Sequence, residues 1–402
     1  MKLSRIPLLG RIVIAIILGV LFGQIVPFWL ARIFSNFNDL FGNFLSFLIP
    51  LIIIGLVTPA IGELGKGAGR FLVITTIIAY ISTLFSGFFT YFSCQWTFPA
   101  ILDGMSLPAA GSDTLNSVPT TYFSINMPPL LDVMSALIFS FCVGIGLSLI
   151  KGNALQKVFV DFRDIIIRII ASVIIPLLPI YIFGMVMSMT VSGQVYSIIM
   201  LFMKVIVVVF ILHILILLIL FSIAGIVSGR NPLKLLRTML PAYATALGTS
   251  SSAATIPVTL NCTLKNRVTE PIASFTIPLC ATIHLPGSTL KIVAFSIAFL
   301  YFSGMPVDLA TFVEFIFLIG IAMIAAPGVP GGAIMAAIGI IQSILGFNEE
   351  LIAMMITAYL AVDSFGTACN VTGDGAIAVI MDKIAGNKTK KSENTQSQTI
   401  LY

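Results

Sequence analysis

Residues 245–259 read TALGTSSSAATIPVT, a small and polar stretch in a chain that is otherwise apolar. Arg230, Lys234 and Arg237 precede it, and Lys265 and Arg267 follow it. Positive residues beside apolar spans collect on the cytoplasmic side. Both flanks therefore face one side, and the segment must enter and return without crossing. That predicts a re-entrant hairpin over 239–263. Irregular backbone at membrane depth is tolerated only where protein or water satisfies its N–H and C=O groups, so this hairpin belongs inside a protein and not against lipid.

The whole chain supports that setting. Of 402 residues, 58% are hydrophobic and 9% charged, against roughly 25% charged in a soluble domain. A soluble globule, a disordered chain, a collagen-like repeat and a disulfide scaffold are all excluded. The apolar runs are long and continuous, unlike the short alternating strands of a β-barrel. The net charge of +5 comes from sparse residues beside spans, so no nucleic-acid partner is expected. Five scattered cysteines without a CxxC pair read as free, buried thiols. The basic start, Met1 to Arg11, leads into an apolar run to about Ala31 with no small-residue cleavage site, which predicts a retained first span.

Lys204 and Arg230 bracket 25 residues without a charge, and a bilayer core needs about 20. Similar spans are 12–31, 40–61, 71–95, 130–150 and 164–190. Lys and Arg cluster at 2–11, 66–70, 151–168, 230–237, 265–267 and 383–391, and are absent from 98–129, 303–314 and 346–350. The first set is placed in the cytoplasm and the second outside. Both ends of 308–346 then lie outside, and APGVPGG at 326–332 breaks it into a second hairpin from the opposite face. Two opposed hairpins suggest an inverted repeat. A broken span at 272–303 and a last span at 349–384 complete the core, followed by a polar, disordered cytoplasmic tail at 385–402. The expected fold is an all-α integral membrane protein with eight transmembrane helices and two re-entrant hairpins. It is multi-pass in the cell membrane, with both termini cytoplasmic.

Polar residues inside these segments mark a site. Asp363, Thr367, Asn370 and Asp374 recur at helical spacing on one face, and charges within a span usually line a site. Helix ends at the serine tip leave free N–H groups suited to a carboxylate. Lys291 lies seven residues past His284 on the same helical side. It has three readings: it reads an acidic ligand, pairs with Asp363, or snorkels to an interface. His284 is either a neutral hydrogen-bonded residue or a cation beside Asp374. His213 stands alone in a lipid-like run and reads as structural, and Asp382 reads as an interfacial charge.

Four motifs in order, TSSSAATIPVT (249–259), PLCATIHLPGS (278–288), GVPGGAIM (328–335) and DSFGTACNVTGD (363–374), resemble the dicarboxylate/amino acid:cation symporters. That family holds the glutamate transporters and bacterial serine/threonine symporters, and the GVPGG spacing is nearer the serine/threonine branch. The resemblance implies secondary active transport by an elevator movement in a homotrimer, with no enzyme activity and no cofactor beyond the coupling ion. It assigns 1–238 mostly to a scaffold, with 71–95 joining a transport core at 239–384. It implies substrate contacts from Ser251, Ser252, Ser288, Val329, Pro330, Gly331, Asp363, Gly366, Thr367 and Asn370, with Lys291 added from the reading above. Among them, Asp363 would bind the substrate amino group, and Asn370 and the serines its carboxylate. Cys280, Thr282, His284, Asn370 and Asp374 are implied in cation coupling, with Asp374 and Asn370 as sodium ligands.

The departures shape the expectation. Where the family reads Asn-Met-Asp-Gly-Thr, this chain reads His284-Leu285-Pro286-Gly287-Ser288, so the Asp that ligates sodium is missing. A further sodium site near Tyr80 and Thr83 lacks that same Asp. Ser250, Tyr359 and Gly366 stand where acidic-substrate members often carry charged residues. The expected substrate is a small amino acid, neutral such as serine, threonine or alanine, moved with sodium before proton. The alternative is proton-coupled uptake of an acidic amino acid or dicarboxylate read by Lys291. A channel or an intramembrane enzyme fits less well, since no pore ring or nucleophile motif is present.

Overall fold

The computed structural model describes residues 8–65, 70–103, 121–193, 195–328 and 330–399. It is helical throughout, with no strand among the described residues. The first apolar run is not one span. It divides at Gly23–Pro27 into α1 (Leu8–Gly23) and α2 (Phe28–Gly65), because Pro27 has no N–H to continue the helix. At 38 residues, α2 is about 57 Å long, nearly twice the hydrocarbon thickness. Next come α3 (Arg70–Ile101), α4 (Val133–Leu149), α5 (Ala154–Ile169) and α6 (Ile175–Val191). A π turn at Ile170–Ile174 joins the last two just before Pro176, whose missing N–H removes a helical bond. These helices pack as α1 on α6 and α2 on α4, α5 and α6.

Then follow α7 (Val195–Ser228), α8 (Pro232–Thr249), α9 (Ser252–Lys265), α10 (Glu270–Ile283), α11 (Pro286–Phe302), α12 (Leu309–Ala325), α13 (Gly332–Leu345), α14 (Glu349–Ala361) and α15 (Asp363–Thr399). Helices α8 and α9 pair as one hairpin, and α12 and α13 as the other. Although the sequence grouped α7 with the scaffold, it packs mainly on α8, α11 and α15. Its buried face repeats at helical spacing from Ile198 to Ala224 and carries His213, so that histidine points into the protein and away from lipid. The polar tail is helical to Thr399, where disorder was expected, since no Gly or Pro follows Gly386 to stop it.

Among the described residues, five helical stretches are long and apolar enough to cross a membrane (α2, α3, α5 with α6, α7, and α10 with α11), or six if α14 and α15, bent by 60°, form one span. Helices α1 and α4 are apolar but shorter. Four of the five cysteines are buried and all are free, but Cys142 is exposed, against the expectation of burial.

At the end of the core, Asp382 Oδ1 accepts from Thr269 N (3.0 Å) and Thr269 Oγ1 (2.8 Å). Its other oxygen lies 3.7 Å from Arg230 Nη2, and Arg230 Nη1 donates to Asn266 O at 2.7 Å. The carboxylate thus ties α15 to the turn between α9 and α10. Asp382→Ala is expected to lower stability by about 1–3 kcal/mol, read as earlier thermal unfolding of the purified protein. An unchanged melting temperature would show that the contacts carry no net stability.

Candidate functional site

The site forms where four chain breaks meet. Helix α9 starts after Ser250 and Ser251. Ser250 has φ 50°, a left-handed conformation uncommon outside glycine. The Ser251 hydroxyl accepts from Ala254 N and donates to Gly328 O at 2.9 Å, so one side chain caps the helix and joins the two hairpin tips. Helix α11 starts at Pro286, which disfavours helix at Leu285 and suits a first helical position. Helix α13 starts after Gly331, whose φ of 75° favours glycine. Helix α15 starts at Asp363 after the bend at Val362.

These four N-termini surround a cavity of about 20 Å³. Its lining includes Ser250, Ser252, Ser288, Asp363, Thr367 and Asn370. That space holds roughly one water, so a ligand of several heavy atoms needs a tip to withdraw. A larger cavity of about 540 Å³ reaches Ala253, Pro327 and Gly328 and is bounded on its far side by α2 and α5.

Asp363 is the one acidic side chain in the lining, which holds no basic one. Lys291 Nζ lies 3.1 Å from its Oδ1, and Gly331 N donates to its Oδ2 at 2.8 Å. The ammonium also stands 3.7 Å above the Tyr359 ring. Helix α11 is buried from Pro286 to Leu300, so Lys291 has no path to an interface and the snorkelling reading is wrong. Nor does Lys291 line the cavity; it pairs with Asp363 from behind. It fills the space beside Gly366, where a Cβ would lie 2.4 Å from Lys291 Cε.

The remaining site residues also hold one another. Asn370 Oδ1 accepts from Gly287 N at 2.8 Å and its Nδ2 donates to Ser288 Oγ at 3.0 Å. Tyr359 Oη donates to the same Ser288 Oγ. Thr367 Oγ1 donates to its own helix at Asp363 O. Deeper in, His284 Nδ1 is 2.9 Å from Asp374 Oδ1, and its Nε2 is 2.9 Å from Ser82 Oγ. Asp374 Oδ2 is buried without a hydrogen-bond partner. His213 Nε2 meets Gly287 O at 3.2 Å, which gives it a structural place at the break of α11.

Several expected residues fall elsewhere. Thr282 is exposed in the larger cavity and donates to Leu279 O, because the helical turn before the break points it outward. Cys280 is buried in an apolar cluster with Ile377 and Met381. The hydroxyls of Tyr80 and Thr83 bond to Phe317 O and Ala79 O, away from the site. Pro330 is part of the tip, and Val329 lies outside the described residues. The sequence reading missed Ser82 and Ser86, which hold the α10–α11 break through His284 and Pro286 O. Their signal was a polar row at 82, 86 and 90 in an apolar span.

The serine/threonine transporters SstT of Acinetobacter baumannii strains AYE and AB307-0294 are each 25% identical to the chain over 397 residues, covering 94% of it and 97% of the relative. The model of the sodium:dicarboxylate symporter family matches residues 8–384. With paired hairpin helices, broken helices and a buried polar site under one family match, this multi-pass membrane chain belongs to the sodium:dicarboxylate symporter family.

Proposed function

We propose that the chain is a secondary active symporter that imports a small solute bearing one carboxylate together with a cation. The observation that carries this is the convergence of four helix N-termini, at Ser252, Pro286, Gly332 and Asp363, on one cavity. Each terminus presents about half a positive charge, and together they favour an anion, although at Pro286 the first N–H groups, those of Gly287 and Ser288, already donate to Asn370 Oδ1. A neutral remainder suits the lining, because Lys291 is engaged by Asp363 and no other base is present to read a second carboxylate. That weighs against the acidic alternative expected from the sequence, in which Lys291 would read a second carboxylate.

The coupling ion is sodium in this reading, with the unpartnered Asp374 Oδ2 as its side-chain ligand. Asn370 is less available, since backbone N–H groups occupy its carbonyl. A second reading, proton coupling, is favoured by one contact: His284 stands on the other Asp374 oxygen, where it can serve as a built-in cation. Eight spans require α1 and α4 to cross as well. Helices α1, α2 and α4–α6 would form the trimer scaffold, and α3 with α7–α15 the moving elevator body. Withdrawal of the Gly331 tip would open the site.

Uptake into proteoliposomes tests this. Labelled serine, aspartate and their hydroxy analogues glycerate and malate would be offered under a sodium gradient and, separately, a proton gradient. The expected result is accumulation of a one-carboxylate acid driven by sodium, with aspartate and malate excluded. Accumulation under the proton gradient alone would move the coupling to His284. No accumulation of any acid under either gradient would overturn the symport reading.

A further inference from the structure

We propose that the site takes small monocarboxylates that lack an ammonium group, 2-hydroxy acids of the size of glycerate and lactate among them, with the Lys291 ammonium in place of a ligand amine. This rests on the carboxylate-symport reading above and names its substrate class.

The argument starts from Asp363. It is the one group in the lining that could take a ligand's positive charge. Both of its oxygens are already bonded, Oδ1 to Lys291 Nζ at 3.1 Å and Oδ2 to Gly331 N at 2.8 Å. An incoming ammonium would have to share with Lys291 the single negative charge that the lysine already neutralises, or push the lysine away from it. Lys291 has nowhere to retreat. It is 0% exposed, its Nζ lies 3.5 Å from Val362 O and 3.7 Å from the Tyr359 ring, and its stem presses on Gly366. Displacing it would leave a buried charge without a counter-charge, which is strongly unfavourable.

The rest of the field points the same way. The Lys291–Asp363 pair cancels in charge, and the four helix N-termini remain. A single carboxylate complements that sum, while an amino acid zwitterion brings a cation whose one counter-charge in the lining, Asp363, is already paired with Lys291. A dicarboxylate brings a second anion without a second cation in the lining. A hydroxyl in place of the amine is neutral, and the Ser288, Thr367 and Asn370 side chains can exchange hydrogen bonds with it.

Isosteric pairs isolate the amine. Wild-type protein in proteoliposomes, under the gradient that drives uptake, would be offered glycerate against serine and lactate against alanine. In parallel, the same four acids would be added to the detergent-purified protein and its thermal unfolding followed. The expected result is at least tenfold greater uptake of each hydroxy acid than of its amino partner, with a rise in unfolding temperature from the hydroxy acids only. Lys291→Met, which frees Asp363, is expected to shift the glycerate-to-serine ratio at least tenfold toward serine. If that variant does not fold, the wild-type pairs still decide. Serine and alanine carried as well as or better than their hydroxy analogues would overturn the inference and leave the symport reading standing. Failure of every acid to be carried would overturn both.

Discussion

Removing either member of the Lys291–Asp363 pair is expected to cost about 3–5 kcal/mol of stability, because the survivor is left as an uncompensated buried charge. Lys291 is 0% and Asp363 7% exposed, so water does little to screen the loss. Asp363→Asn keeps the shape and leaves Lys291 without its counter-ion. Lys291→Met keeps the length and leaves Asp363 with the Gly331 amide alone. The double substitution removes both charges and is expected to recover most of the lost stability, since a buried pair exchanged for apolar groups is often neutral. Thermal unfolding of the four proteins in one detergent completes the cycle. Additive single effects would mean that the two charges are not coupled, and would remove the basis for treating Lys291 as the partner of Asp363.

Gly366→Ala is expected to abolish most transport, by at least tenfold, without touching a ligand directly. The new Cβ would lie 2.4 Å from Lys291 Cε and 2.6 Å from its Nζ. A lysine end usually swings aside, but this one is enclosed by Tyr359, Val362 and Asp363. The side chain must leave its pairing position or α15 must move away from α11, a change of about 1–3 kcal/mol in a packed core. The control is the same alanine in a Lys291→Ala background. There the atoms it strikes are gone, and the added effect of Gly366→Ala is expected to be small. Initial uptake rates of the single and double variants, normalised to protein in the membrane, make the comparison. Near-normal transport by Gly366→Ala alone would show that Lys291 has more room than its contacts indicate.

Both results turn on a feature that the sequence left open in an instructive way. The 363–374 motif places Asp363, Thr367, Asn370 and Asp374 on one helical face, and the structure places the first three in one cavity lining. The hairpin at 239–263 was legible from the Lys and Arg residues on its two flanks, and α8 and α9 pair as that hairpin. Proline fixed the break at 284–286, because Pro286 denies helix to the residue before it. These are local statements: periodicity, charge placement and backbone chemistry act over a few residues, and a sequence records them directly.

Partner choice is not local. Lys291 had three readings from sequence, and the distance across α11 and α15 to Asp363, 72 residues away, selects one. His284 finds Ser82 from 202 residues away, on a helix whose polar row carried no sign of which residue it would meet. The first apolar run looked continuous because apolar composition continues through Pro27, while the helix does not. What the sequence by itself determined was the membrane setting, the two hairpins, the order of the site motifs and the face on which the last helix carries its polar residues. What only the tertiary structure decided was which buried charges neutralise one another. Pairing depends on ångström-scale packing between helices that share no neighbourhood in sequence, and a buried charge takes whichever partner that packing brings within reach.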